Sequence, residues 1–418
     1  MTKRCLCIAG FCLGLFGYAL SGILAAQTGA GLPFNVNCPA AVLMDAETGE
    51  FLYEKNADER LIPASLTKVM TLYLAFDALK AGQVKLDEEV TISKKAWKMG
   101  GSQMFIEVGQ RVRFDDLLKG IAVVSGNDAC VAVAEAIAGS EPVFVNSMNE
   151  KAKALGLANT HFMNPDGLPD KDHYSTARDM AVLAFRYLKD HPESLNYHSM
   201  KEFTYGGITQ SNRNGLLFKD SSVDGIKTGW VKESGYHLIA TAKKENQRLI
   251  AVVMGAEKEK QREEDALALL YYGFRNFSTV KYCSKGQKQG QIPVLKGKVD
   301  WVSVECTQDD IITLPKNKEK AFTLKKQIPE NLTAPIMKGQ KVGMLTLVLD
   351  GKDLRKGDLV ASESVPLAGF GKRFFQSLVA FSFEPPYLGS IIFFAVVALL
   401  ILITILSSRS RNRGYRYR

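Results

Sequence analysis

The stretch LIPASLTKVM, residues 61–70, sets a hydroxyl and an amine three positions apart among apolar residues. On a helix, Ser65 and Lys68 emerge on one face. Pro63 suits a helix start, and Leu66, Val69, Leu72, Tyr73, Phe76 and Leu79 follow with helical spacing, which predicts a central, buried helix. A lysine there is costly, because removing an ammonium from water disfavours its charged form. Either the amine reaches water or a partner, or it is held there for chemistry.

Working outward, AAVLMDAETGEFLYEKN (40–56) alternates and turns at Glu47-Thr48-Gly49, which predicts a two-stranded hairpin. Helices are predicted in FDDLLKGIAVV, DACVAVAEAIAG, PVFVNSMNEKAKALG and ARDMAVLAFRYLKD. Strands return in HLIATAKKENQRLIAVVMGA, and EDALALLYYGFRNF reads as a closing helix. This order predicts an α+β domain over 36–277, an antiparallel sheet flanked by helices. From residue 278 the texture changes. VDWVSVEC and VGMLTLVLDGKDL alternate with period two and break at turns such as Asp350-Gly351, which predicts a small all-β sandwich domain to Pro366.

The chain has 418 residues, 46% hydrophobic and 23% charged, an ordinary globular balance with room for two or three domains. Its net charge of +9 comes without any nucleic-acid-binding signature, so no nucleic acid partner is expected. At the N-terminus, Lys3 and Arg4 precede an uncharged run closing on small residues before Gln27. This reads as a secretory signal over 1–26, with a retained N-terminal anchor as the alternative. Residues 387–408 contain the uncharged run YLGSIIFFAVVALLILITIL, about the length that crosses a bilayer. The basic tail 409–418 then marks the cytoplasmic side. Between them and the β-rich domain, 367–386 reads as an amphipathic interfacial segment or a plain linker. Membrane lipid is thus an expected partner, with the bulk of the chain on the outer side of the inner membrane. Outside the signal, an oxidising compartment would permit Cys283 and Cys306 to pair. Cys130 reads as a small core residue.

Ser65 with Lys68 is weak alone, since Ser278 and Lys281 show the same spacing. Two further groups strengthen it: VVSGNDA supplies Ser125 and Asn127, and VDGIKTGW supplies Lys227, Thr228 and Gly229. In this order the three match the signature of serine acyltransferases that react with penicillin. A serine hydroxyl needs an adjacent base, and an amine can serve only in its neutral form, which burial and a second cation such as Lys227 favour. The five histidines show no metal-ligand spacing, and neither metal nor organic cofactor is expected.

Together with STARDM (175–180), NRNGLL (212–217) and VDGIKTG, these motifs make the chain resemble the low-molecular-mass penicillin-binding proteins, the D-alanyl-D-alanine carboxypeptidases of the D-Ala-D-Ala carboxypeptidase A family. The resemblance implies that Ser65 forms an acyl-enzyme and Lys68 takes its proton. It implies that Ser125 relays a proton to the leaving D-alanine and that Asn127 holds Lys68 and the substrate amide. Lys227, Thr228 and Arg248 would meet the substrate carboxylate, with Arg213 assisting, and the N–H groups of Ser65 and Trp230 would form the oxyanion hole. The partners implied are peptidoglycan stem peptides and, as covalent inhibitors, β-lactams. D,D-endopeptidase or β-lactamase action through the same serine, and a non-catalytic wall-binding scaffold, are the alternatives. Trp230 departs from the smaller or polar residues common after Gly229, and Asp179 reads as a structural partner.

Overall fold

A computed structural model describes residues 34–382 and 388–413. Strands β1 (Ala40–Asp45) and β2 (Phe51–Lys55) form the predicted hairpin. Helices α1 (Lys68–Lys80), α2 (Phe114–Ala122), α3 (Asn127–Ala138), α4 (Glu141–Leu155) and α5 (Ala177–Asp190) follow. Then come β3 (Val223–Val231), β4 (Gly235–Lys244), β5 (Gln247–Ala256) and α6 (Glu259–Asn276). The strands form one antiparallel sheet in the order β2-β1-β5-β4-β3, which leaves β3 at an edge.

The sheet is buried on both faces, and its side chains sort by parity. Val42, Met44, Ile239, Ile250, Val252 and Met254 join α1 to α5 in one core. Ala41, Leu43, Leu238, Ala240, Leu249 and Val253 pack with Leu269 and Leu270 of α6 in a second. α1 lies at the centre of the first core, with most of its residues buried, as its spacing predicts.

The second unit starts at β6 (Phe277–Cys283) and has its own core. It comprises β7 (Lys288–Leu295), β8 (Trp301–Cys306), β9 (Asp310–Pro315), β10 (Thr323–Gln327), β11 (Leu332–Thr333), β12 (Lys341–Leu349) and β13 (Lys352–Ala361). Six of these strands form a sheet ordered β10-β12-β13-β8-β7-β11, while β6 pairs with β9. Cys283 and Cys306 are joined by a disulfide. The β1–β2 turn binds this unit directly: Thr279 Oγ1 donates to Asp45 at 2.5 Å, Thr48 and Thr313 hydroxyls meet at 2.7 Å, and Arg355 reaches Glu50 at 2.6 Å.

Beyond it run α7 (Phe370–Ser382) and α8 (Leu388–Arg413). Lys372 on α7 pairs with Asp300, which ties the start of this segment to the β unit. Among the described residues no helix is long and apolar enough to cross a membrane. The span expected over 387–408 therefore finds no support among them. The signal over 1–26, Cys5, Cys7, Cys12 and the end of the basic tail lie outside the described residues.

Candidate active site

Four pieces of chain converge at the N-terminus of α1. The first is the turn that carries Ser65. Residues 64–67 form a 3-10 turn that runs into α1 at Lys68. Three residues per turn bring positions i and i+3 into line, so Lys68 Nζ meets Ser65 Oγ at 2.9 Å. Ala64 takes a left-handed backbone (φ +49°), a strained state for a residue with a Cβ. Its carbonyl lies where a Cβ on Gly167 would stand, only 1.9 Å away, so residue 167 has to be glycine.

The second piece is the break before α3. Ser125 is buried with φ +65°, and Asn127 begins the helix. Asn127 Oδ1 accepts from Lys68 Nζ at 2.7 Å, while its Nδ2 donates to the Gly100 carbonyl at 2.7 Å, which fixes the amide orientation.

The third is the turn Asn164–Leu168. The Asp166 carbonyl accepts from Lys68 Nζ at 2.5 Å, and the Pro165 carbonyl accepts from Thr71 Oγ1 at 2.5 Å. Lys68 is 0% exposed and has three neighbours. Two of them, the Asn127 amide oxygen and the Asp166 carbonyl, can only accept. As an ammonium, the lysine donates to all three. As a neutral amine, it satisfies both acceptors with its two N–H groups and keeps its lone pair for the Ser65 hydroxyl proton. Burial holds the Asp166 carboxyl above the usual carboxylate range despite the nearby Lys68, and its Oδ2 has no hydrogen-bond partner among the described residues.

The fourth is the edge strand β3. Lys227 is 2% exposed, and its Nζ donates to its neighbour's carbonyl, that of Thr228, at 3.2 Å. Burial first, then Lys68, pushes its pKa well below the usual lysine value. Thr228 is buried beside it, and Gly229 lets the strand press on the turn that carries Ser65: a Cβ there would sit 3.1 Å from the Pro63 carbonyl and 3.3 Å from Leu66 N. Trp230 turns outward, 55% exposed, its ring 5.9 Å from that of Tyr236. The β3–β4 turn is tied to the same segment. Gly255 N donates to His237 Nδ1, which leaves Nε2–H to bond Ser234, and the Ser234 hydroxyl donates to the Ile62 carbonyl at 2.7 Å.

The two candidate arginines separate. Arg213 is exposed, faces Lys227 electrostatically and lines a cavity of about 470 Å³. Arg248 stands away from the cluster, on β5, two strands from β3. Its terminal nitrogens are held by Asp224 at 2.6 and 2.8 Å, and one also reaches Thr241. A guanidinium whose fork already grips a carboxylate has little left for a second one. Three residues were missed in the sequence. Asp166 and Gly167 lie in Asn-Pro-Asp-Gly, which reads only as a turn. Arg262, buried on α6, contacts the Gly229 carbonyl at 3.4 Å and carries no local signal. Asp179 accepts from Asn159 N and Thr160 Oγ1 and is structural.

A serine hydroxyl on a buried lysine, a second serine and asparagine at a helix start, and a second buried lysine on an edge strand together define a serine acyl-transfer enzyme. A family model described as D-alanyl-D-alanine carboxypeptidase matches residues 26–258, and one described as penicillin-binding protein 5, C-terminal domain, matches 277–367. The chain belongs to the D-alanyl-D-alanine carboxypeptidase family and is a serine hydrolase. It is 42% identical over 347 residues to the D-alanyl-D-alanine carboxypeptidase DacA of Haemophilus influenzae, covering 81% of this chain and 88% of the relative. The crystal structure of penicillin-binding protein 5 from the same organism superposes with a TM-score of 0.74 at 41% identity, covering 80% of this chain and 99% of that one. Penicillin-binding protein D2 from Listeria monocytogenes, solved with ampicillin bound, is more distant: TM-score 0.54 and 30% identity, covering 58% of this chain and all of that one.

Proposed function

We propose that the chain removes the terminal D-alanine from peptidoglycan stem peptides through an ester on Ser65. The observation that carries this reading is the Lys68 cradle, in which two acceptor-only oxygens orient the amine so that a lone pair can face Ser65 Oγ. Lys68 takes the hydroxyl proton as Oγ attacks the penultimate carbonyl, and N–H groups of Ser65 and Trp230 receive the oxyanion, a contribution of about 3 to 4 kcal/mol per donor. Ser125 passes a proton to the departing amine, so the C–N bond breaks and D-alanine leaves. Water then cleaves the ester and regenerates the serine. Lys227, Thr228 and Arg213 receive the substrate carboxylate, and an arriving anion restores the Lys227 proton that burial disfavours.

β-Lactams would acylate the same serine, as supported by the family and by the ampicillin-bound relative. The chain is placed outside the cytoplasm and tethered to the inner membrane through residues 387–408. That placement rests on the N-terminal run, the uncharged stretch 387–406 and the arginines behind it.

The direct test incubates the full chain with a pentapeptide ending in D-Ala-D-Ala and measures free D-alanine. Release by the wild type and none by Ser65→Ala is expected; equal release from both would remove Ser65 as nucleophile. Flotation with vesicles tests the tether, and a chain that stays in the soluble fraction would count against it.

A further inference from the structure

Lys68 can act as a base only while the Asn127 amide points its oxygen, and not its NH2 group, at the amine. The two orientations of an amide have the same shape, so its hydrogen-bond partners select between them. Here the selection is made by residues 99–106. The Gly100 carbonyl accepts from Asn127 Nδ2 at 2.7 Å, and the Ser102 carbonyl accepts from Asn127 N at 2.7 Å. A Cβ on Gly101 would stand 2.7 Å from the same Nδ2. Two carbonyls and a glycine of this segment therefore enclose the nitrogen end of the amide.

Residues 99–106 form no helix or strand, so their position depends on side chains, and Asp128 supplies it. An acid in the first turn of a helix ordinarily meets that helix's own N–H groups. Asp128, buried at the start of α3, does so through Ala129 N at 2.9 Å. Its other bonds reach back 22 to 24 residues: Met104 N donates to both of its oxygens at 3.0 and 3.1 Å, Phe105 N to Oδ2 at 3.0 Å and Ile106 N to Oδ2 at 3.4 Å. Phe105 takes a left-handed backbone (φ +65°), which helps turn three consecutive N–H groups toward one carboxylate. That state is strained for a residue with a Cβ. It is offset by the donors it gives to a carboxylate taken out of water.

From this geometry we infer that Asp128 is a positioning residue for acylation: it clamps residues 99–106 against α3, and the clamped segment fixes the Asn127 amide so that Lys68 keeps its lone pair for Ser65. Released from the clamp, the amide turns over and its NH2 group donates to the neutral amine. The lone pair that takes the Ser65 proton is then occupied, and Ser65 Oγ loses its base. The inference rests on the acylation proposed above and adds to it a residue that touches no reacting atom.

The test measures acylation of the full chain by a fluorescent penicillin in the wild type, Asp128→Asn, Asn127→Ala and the double variant, with folding checked by thermal unfolding. Asp128→Asn keeps the side chain's shape and sets an NH2 group against backbone N–H donors. Its acylation rate at saturation should fall on the order of a hundredfold. The penicillin concentration that gives half of that rate should move by less than about threefold, because the carboxylate-binding groups on β3 are untouched. The double variant should be no slower than Asn127→Ala, since a clamp that works through an amide has nothing to hold once the amide is gone. Gly101→Ala crowds the same amide without altering Asp128; it should show a similar loss, again absent in the Asn127→Ala background, and it decides the matter if Asp128→Asn does not fold. Losses that multiply in the double variants, or folded single variants acylated within about threefold of the wild type, overturn the inference, while release of D-alanine by the wild type leaves the carboxypeptidase reading standing. If the wild type is neither acylated nor releases D-alanine, both fall.

Discussion

Replacing Gly167 by alanine should cripple acylation without touching a single reacting side chain. The new Cβ would stand 1.9 Å from the Ala64 carbonyl oxygen, 2.3 Å from its carbon and 3.0 Å from Ser65 N. Recovering ordinary contact demands a retreat of about 1.5 Å by the backbone just before the nucleophile. Misplacing reacting groups by about 1 Å costs on the order of a hundredfold in rate, so acylation by a fluorescent penicillin should slow by roughly that factor. Stability also falls, by about 1 to 3 kcal/mol for the left-handed backbone (φ +88°) and a similar amount for overpacking. Gly82→Ala separates the two effects. It shares the backbone strain (φ +71°) but meets nothing within 4 Å, so it should lose about 1 kcal/mol and acylate normally. The assay is the second-order acylation rate on samples whose folding is checked by thermal unfolding. A folded Gly167→Ala protein that acylates within about threefold of wild type would refute the claim that this contact sets the nucleophile's position.

Further outcomes are expected elsewhere. Arg213→Ala should raise KM for peptides with a free terminal carboxylate far more than for amidated ones, whereas Arg248→Ala should leave KM alone and cost about 1 kcal/mol through the unpaired Asp224; the reverse pattern in kinetics and urea unfolding would return Arg248 to the cleft. Converting Cys283 and Cys306 to alanine opens a link of sequence separation 23 and should destabilise the β unit by about 3 kcal/mol, with the acylation rate unchanged because Leu66, next to Ser65, anchors that turn in another core. Burial lowers His173 to about 4 and His198 and His237 to about 3. These imidazoles stay neutral in the folded chain while the unfolded chain takes up protons below about 6.5, so their contribution is complete above that pH. It is lost as pH falls toward 4, at up to about 4 kcal/mol per pH unit. The raised Asp166 and Asp179 carboxyls act in the opposite sense nearer their usual values. A urea midpoint flat between pH 7 and 5 would contradict the assignment.

Much of this was legible locally. The spacing after Pro63 identified α1, alternation identified the β1–β2 hairpin and the β-rich second unit, and three short motifs supplied Ser65, Lys68, Asn127 and Lys227, of which the fold bonds Lys68 to both Ser65 and Asn127. Other features had no local signal. Arg248 and Arg213 are equally plausible cations in the sequence; only the sheet order shows that one is consumed by Asp224 and the other opens on the cavity. Asn-Pro-Asp-Gly announces a turn, yet nothing in it says that its carbonyl will meet an amine 98 residues away.

By itself, the sequence determined which chemical groups are present and which lie on shared faces, because side-chain periodicity within a helix or strand is a property of neighbouring residues. The tertiary structure alone decided which distant groups share a cleft and which are spent on structural partners. An amine's two acceptors, the contact beneath Gly167 and the cation beside Lys227 all arise from chain segments far apart in sequence, and no local pattern encodes a distance between them.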